Sequence, residues 1–188
     1  MKIKDIIVPG FVLFVICLVT SVLLAVTNEV TAPKIAERQE QAAYEAMSLV
    51  LPDAKFDDES KITLNGVEYT YNIGKNDSGE TVGYVFTTVS KGYGGDVKVM
   101  TGVNADGTVS AIETLELNET AGLGMKAAEQ NFKDMFKGKS ADIGVVSNGT
   151  PGENEIKALT GATITTNAVT DAVNTALSLY NEITGGAK

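Results

Sequence analysis

The chain has 188 residues, a formal net charge of −9, one cysteine, no histidine and no tryptophan. That length suits one domain of ordinary size with a modest appendage. The missing histidines exclude Ser-His-Asp chemistry, HExxH zinc sites and histidine-ligated haem, the lone cysteine excludes CxxC pairs, iron–sulfur clusters and an internal disulfide, and the acidic balance argues against nucleic acid as a partner.

Ile6 to Asn28 runs for 23 residues without a charge. As a helix it would span about 34 Å, enough for a bilayer's hydrocarbon core. The apolar region of a cleavable signal is shorter, about 7–15 residues, and ends at a small-x-small site that this run lacks. The run therefore reads as a retained membrane anchor in contact with the lipid bilayer. Phe14, Val15 and Ile16 ahead of Cys17 lack the small residue that lipidation needs, so Cys17 reads as a small lipid- or helix-facing residue. Thr20 and Ser21 suit helix–helix contact within a membrane. Lys2 and Lys4 before the span, against the more distant Lys34 and Arg38, lean toward a cytoplasmic N-terminus and a body outside. That body, residues 29–188, holds 13 basic and 23 acidic residues.

After the span, TAPKIAERQEQAAYEAMSLVL predicts a continuing helix with a thin apolar stripe, Pro33 falling in a first turn or a kink, and Leu51-Pro52-Asp53 ending it. The plain interpretation is a spacer. Residues 61–117 switch to period two. Ile62–Leu64 and Val67–Tyr71 flank Asn65-Gly66, a tight-hairpin signal, and Thr81–Val89, Val97–Val103 and Val109–Leu117 follow behind turn signals at 76–79 and 104–107. The alternation predicts an antiparallel meander with one buried face. Lys126–Phe136 reads as a short helix on Phe132, Met135 and Phe136. The last helix has a stripe of Val169, Ala172, Val173, Ala176, Leu177 and Tyr180, with Thr165, Thr166 or Asn167 as cap and Gly185-Gly186 as stop. The class is α+β. The expected division is an anchor over 1–28, a stalk helix and linker over 29–60, and a domain over 61–188.

Three glycine-bearing segments fit neither period: Lys91–Asp96, Asn118–Gly124 and Leu159–Asn167. The third offers hydroxyls and free N–H groups at a helix N-terminus, which suits an anion as well as it suits a plain Thr-rich cap. It has no Gly-Lys-Thr and so is not a Walker loop.

TGATITTNAV resembles the flavinylation motif of FMN-binding domains, in which FMN is joined through its phosphate to the last threonine of Ser/Thr-Gly-Ala-Thr. The upstream order GYGGDVKVMTGVNADGTVSAIETLELNETAGLG resembles the same family. With its anchor and TAPKIAE stalk, essentially the whole chain is similar to the RnfG family, which belongs to the Rnf ion-translocating electron-transport complexes. There are two departures: Lys157 stands where an acidic residue is common, and Ala121 where proline is common.

The resemblance implies covalent FMN, esterified to Thr163, with Thr160, Thr165 and Thr166 as lesser candidates for the ester. It implies that Thr160, Gly161 and Ala162 lie by the phosphate, that Glu119, Thr120, Gly122, Leu123 and Gly124 line the flavin, and that Tyr93, Gly94 and Gly95 shape its far side. A tethered flavin needs no metal, histidine or cysteine from the protein, and a tether prevents its loss outside the cytoplasm. The implied partners are other integral and peripheral subunits of a membrane complex that couples ferredoxin–NAD electron transfer to Na⁺ or H⁺ movement, and a flavin transferase for maturation. The implied location is the plasma membrane with the FMN domain outside, and no independent turnover is expected of the isolated chain. The rivals are NqrC of the Na⁺-translocating NADH:quinone oxidoreductase, which is typically longer, a stand-alone anchored flavoprotein, and a flavin-free anchored scaffold.

Overall fold

The computed structural model describes residues 4–140 and 142–185. The chain divides into two units, Met1–Tyr44 and Glu45–Lys188.

Helix α1 runs unbroken from Lys4 to Val50 with Pro9 and Pro33 inside it. Pro33 removes one hydrogen-bond donor without ending the helix, so the expected first-turn position is not found. The large apolar side chains from Ile7 to Val30 are exposed on this unit, and the helix is long and apolar enough to cross a membrane. Its threonine hydroxyls bond back to their own helix, Thr20 Oγ1 to the Ile16 carbonyl at 2.9 Å and Thr27 Oγ1 to the Leu23 carbonyl at 2.8 Å. They therefore present no unsatisfied donor to an apolar surrounding.

The second unit is built on an antiparallel sheet. Its strands are β1 (Lys55–Phe56), β2 (Ser60–Leu64), β3 (Val67–Lys75), β4 (Thr81–Lys91), β5 (Asp96–Asn104) and β6 (Val109–Leu117). The order is β1-β3-β4-β5-β6, with β2 pairing β3 beside β1. Asn65 and Gly66 both have positive φ, 52° and 81°, and join β2 to β3 with Leu64 opposite Val67. That is the two-residue turn the Asn-Gly pair predicts. A parallel pair, β7 (Gly144–Val146) and β8 (Glu155–Lys157), lies apart from this sheet, and no pattern in the sequence signals it.

Helix α3, Thr163–Thr184, packs on one face of the sheet. Val169, Ala172, Val173, Ala176 and Leu177 meet Phe86, Val97, Val99, Val103 and Ile112 in the main core. Gly185 closes the helix at φ 75°, as the Gly-Gly stop predicts.

The other face is not solvated. Ala46 and Val50, from the last turns of α1, and Leu51 just beyond it pack with Val85 and Met100 in a second buried cluster. Gly102 lets this happen, because a Cβ there would collide with the Val50 carbonyl oxygen. Met100 and Gly102, which alternate along β5 with Val97, Val99, Thr101 and Val103 and so point to the other face, are therefore buried. The expectation of one buried face is corrected: period two shows alternation but not what covers each side.

The segment expected as one short helix is three pieces. A 3₁₀ turn over Gly124–Ala128, helix α2 over Gln130–Lys133 and a second 3₁₀ turn over Asp134–Phe136 are interrupted by Glu129 in an extended conformation. Phe132 and Phe136 are buried nonetheless, edge to face with ring centroids 5.5 Å apart. Apolar spacing of three and four residues does not separate α from 3₁₀ in so short a run.

Candidate functional site

Three loops of the second unit converge on one cleft of about 530 Å³. Tyr93 comes from the β4–β5 loop. Glu119, Thr120, Leu123 and Gly124 come from the segment after β6, and Gly161, Ala162, Thr163, Ile164 and Thr165 form the entry to α3. The volume is that of a small-molecule site.

The α3 entry forms one wall. Gly161 has φ 76°, where a side chain is strained, and a Cβ there would stand 3.1 Å from the Leu123 side chain. Thr163 is the first helical residue, behind Ala162 at φ −139°, and no side chain caps the helix. The expected cap at Thr165, Thr166 or Asn167 is therefore corrected. The helix begins earlier because Thr165 and Thr166 are buried in its first turn. The Thr166 hydroxyl accepts the Leu159 N–H at 3.0 Å and donates to the Ala162 carbonyl at 3.0 Å. The first intrahelical N–H bond is that of Thr166 to Ala162. The N–H groups of Thr163, Ile164 and Thr165 therefore have no partner within the helix and lie at the cleft, where the helix dipole favours negative charge.

Thr165 adds a second polar feature. It is 1% exposed and lines the cleft, and its hydroxyl lies 2.7 Å from where a Cβ on Gly124 would stand. Apolar groups complete the rim: Tyr93 is 72% exposed, Ile164 54%, and Leu123 also stands out from the surface. No lysine or arginine lines the cleft, and no cluster of metal-binding side chains occurs among the described residues.

Of the residues the sequence points to, Tyr93, Glu119, Thr120, Leu123, Gly124, Gly161, Ala162 and Thr163 come together here. Thr160 is an exposed turn residue outside the lining, and Gly122 shapes its loop at φ 77° without reaching the cleft. Gly94 also stays out of the lining, and its N–H instead bonds to Glu119 Oε1 at 3.3 Å. Ile164 is a lining residue that sequence reasoning misses, and Thr165 enters that reasoning as a helix cap and a rival ester site but not as a lining residue. A β-branched apolar residue exposed one position after a helix start is the signal that points to Ile164.

The three loops fall within a known domain. The FMN-binding domain family matches residues 92–178, which include all of them, and the RnfG N-terminal region family matches residues 1–50. The RnfG counterpart in the Na(+)-translocating ferredoxin:NAD(+) oxidoreductase complex of Acetobacterium woodii is 43% identical, over 93% of this chain and 91% of the relative. This chain belongs to the RnfG family. Other members include the counterpart in the proton-translocating ferredoxin:NAD(+) oxidoreductase complex of Clostridium ljungdahlii, 34% identical over 93% of this chain and 91% of its own. The counterpart in the ion-translocating oxidoreductase complex of Methanosarcina acetivorans is 30% identical over 87% and 88%. Among solved structures, the NqrC-type protein of the Na(+)-translocating NADH-quinone reductase from Parabacteroides distasonis superposes with a TM-score of 0.54 at 20% identity, covering 74% of this chain and 81% of its own. That likeness extends the shared fold beyond the RnfG family. The cleft fits the cofactor that gives the matched domain its name: uncapped N–H groups for a phosphate, the Thr165 side chain at its wall, and apolar walls for a planar ring.

Proposed function

We propose that this chain is the membrane-anchored, FMN-carrying electron-transfer component of an Rnf-type ferredoxin:NAD oxidoreductase complex, with FMN joined by a phosphoester to Thr163. FMN supplies the electron chemistry when bound. The chain's own residues hold it. The uncapped first turn of α3 takes the phosphate charge, the Thr165 hydroxyl donates to the cofactor, and Tyr93, Leu123 and Ile164 flank the ring while leaving an edge open to a partner. Thr163 is favoured among the motif threonines by one observation: it alone is both exposed and in the cleft. Thr165 and Thr166 are buried, and Thr160 is outside.

In this reading residues 1–28 anchor a single-pass protein with its N-terminus in the cytoplasm. Residues 29–60 lead from the span into the domain, packing with it from Glu45 on, and residues 61–188 hold the flavin outside, after a flavin transferase has attached it. The relatives' names give both Na(+) and a proton as the transported ion, so the family alone sets neither. The relation to NqrC of the NADH-quinone reductase is one of fold, whereas the RnfG relatives match along nearly the whole chain.

Intact-mass measurement tests the linkage. Protein made with a flavin transferase gains one FMN less water, and Thr163→Ala lacks that gain. A wild-type chain without the increment under those conditions overturns the covalent assignment.

A further inference from the structure

Two of the three glycine-bearing loops meet at a single carboxylate. Glu119 Oε1 accepts the Tyr93 N–H at 2.8 Å and the Gly94 N–H at 3.3 Å. Apart from this, the 92–95 loop is closed by its own turn, the Gly92 N–H donating to the Gly95 carbonyl at 2.8 Å. A Cβ on Gly92 would run into Glu119 Oε1. A Cβ on Gly124 would sit 2.8 Å from Glu119 Oε2 and 2.7 Å from Thr165 Oγ1. Gly92 and Gly124, 32 positions apart in the chain, thus leave room for the same side chain.

Two backbone N–H groups need only an acceptor, which a neutral amide oxygen also supplies, though more weakly than a carboxylate. Glu119 brings a charge as well. Among the described residues no salt bridge engages it, and no cation lines the cleft it faces. A negative charge at the wall of a partly desolvated cleft acts on whatever charge develops inside.

We propose that Glu119 is a positioning residue with two separable effects: Oε1 latches the 92–95 loop so that Tyr93 stands at the cleft mouth, and the carboxylate charge makes the bound flavin harder to reduce. The second effect rests on the FMN reading above, and the first does not.

Two conservative variants separate them in the full chain in detergent. Glu119→Asp keeps the charge but retracts the acceptor by one methylene. Glu119→Gln keeps the acceptor and removes the charge. In protein made without flavin transferase, hydrogen exchange of the Tyr93 and Gly94 amides is expected to quicken about tenfold or more in Glu119→Asp and to change several-fold less in Glu119→Gln, which keeps a weaker acceptor in place. Unchanged exchange in Glu119→Asp overturns the latch. In flavinylated protein, the midpoint potential is expected to shift upward in Glu119→Gln, and an unshifted potential overturns the charge effect. A wild-type chain that takes up no FMN overturns the flavin reading and the charge effect with it, while the exchange measurement still decides the latch.

Discussion

The carbonyl oxygen of Val50 occupies the space in which a side chain on Gly102 would stand. The last turns of α1 are thereby seated directly on β5, and with Leu51 they close the second buried cluster. Gly102→Ala is expected to cost about 1–3 kcal/mol through overpacking. Thermal unfolding checks this, and an unchanged midpoint would show that the close contact does not matter.

The same contact sets where the domain can be cut. A chain beginning at Glu45 keeps Ala46, Val50 and Leu51, whereas one beginning at Asp53 uncovers Val85 and Met100. The shorter piece is expected to lose about 3–5 kcal/mol, a large share of a domain's stability. Denaturant unfolding of the two pieces measures the difference.

Exposure within the TGAT segment makes a site-by-site prediction for flavinylation. Thr160→Ala and Thr166→Val are expected to retain the FMN mass increment, because Thr160 lies outside the cleft and the Thr166 side chain is turned into the α3 entry. Peptide mapping after proteolysis locates the increment. An increment on Thr160 would refute the assignment.

Tyr180 fastens the far end of α3. Its hydroxyl donates to the Ala105 carbonyl at 2.7 Å, and its ring stands edge-on to Tyr84 with centroids 5.6 Å apart. Tyr180→Phe is expected to cost about 1 kcal/mol, the net value of one hydrogen bond. Burial, with smaller contributions from Tyr84 and Asp106, raises the phenol's pKa above its ordinary value of 10.0. The folded state thus holds the proton when the unfolded chain begins to lose it. This contribution is complete below about pH 10 and falls away as pH rises toward the folded value. Stability of the wild type measured against alkaline pH is expected to decline more steeply than that of Tyr180→Phe.

Thr101 presents the opposite case. It is fully buried on β5, and its hydroxyl has no hydrogen-bond partner among the described residues. Thr101→Val replaces an unpaired polar atom with a methyl group of similar size and is expected to stabilise the domain by about 1 kcal/mol. A lower melting temperature in the variant would mean that the hydroxyl is satisfied in solution.

Much of this fold is legible in the sequence for local reasons. Asn65-Gly66 announces its turn because two successive positive φ values exclude most residues, and the Val169–Tyr180 stripe announces its helix because one face must be apolar. What is not legible depends on contacts distant in the chain. Met100 looks like an outward residue until Val50 and Leu51 are seen to cover it. Glu119 looks like a cleft-lining acid until Tyr93 and Gly94, 26 and 25 positions earlier, are found bonded to it. Thr165 looks like a helix cap until the helix is seen to start before it.

Thr163 opens α3 instead of sitting in the loop before it. A β-branched residue in a helix has few side-chain rotamers open to it, and the helix itself is held at its other end by Tyr180. A cofactor esterified there would be fixed to the protein at its phosphate end, leaving its ribityl chain as the flexible part, with its ring lodged between Tyr93, Leu123 and Ile164. It would act as a stationary relay, so the rate of electron exchange would be set by how closely neighbouring proteins approach the exposed edge between Tyr93 and Ile164.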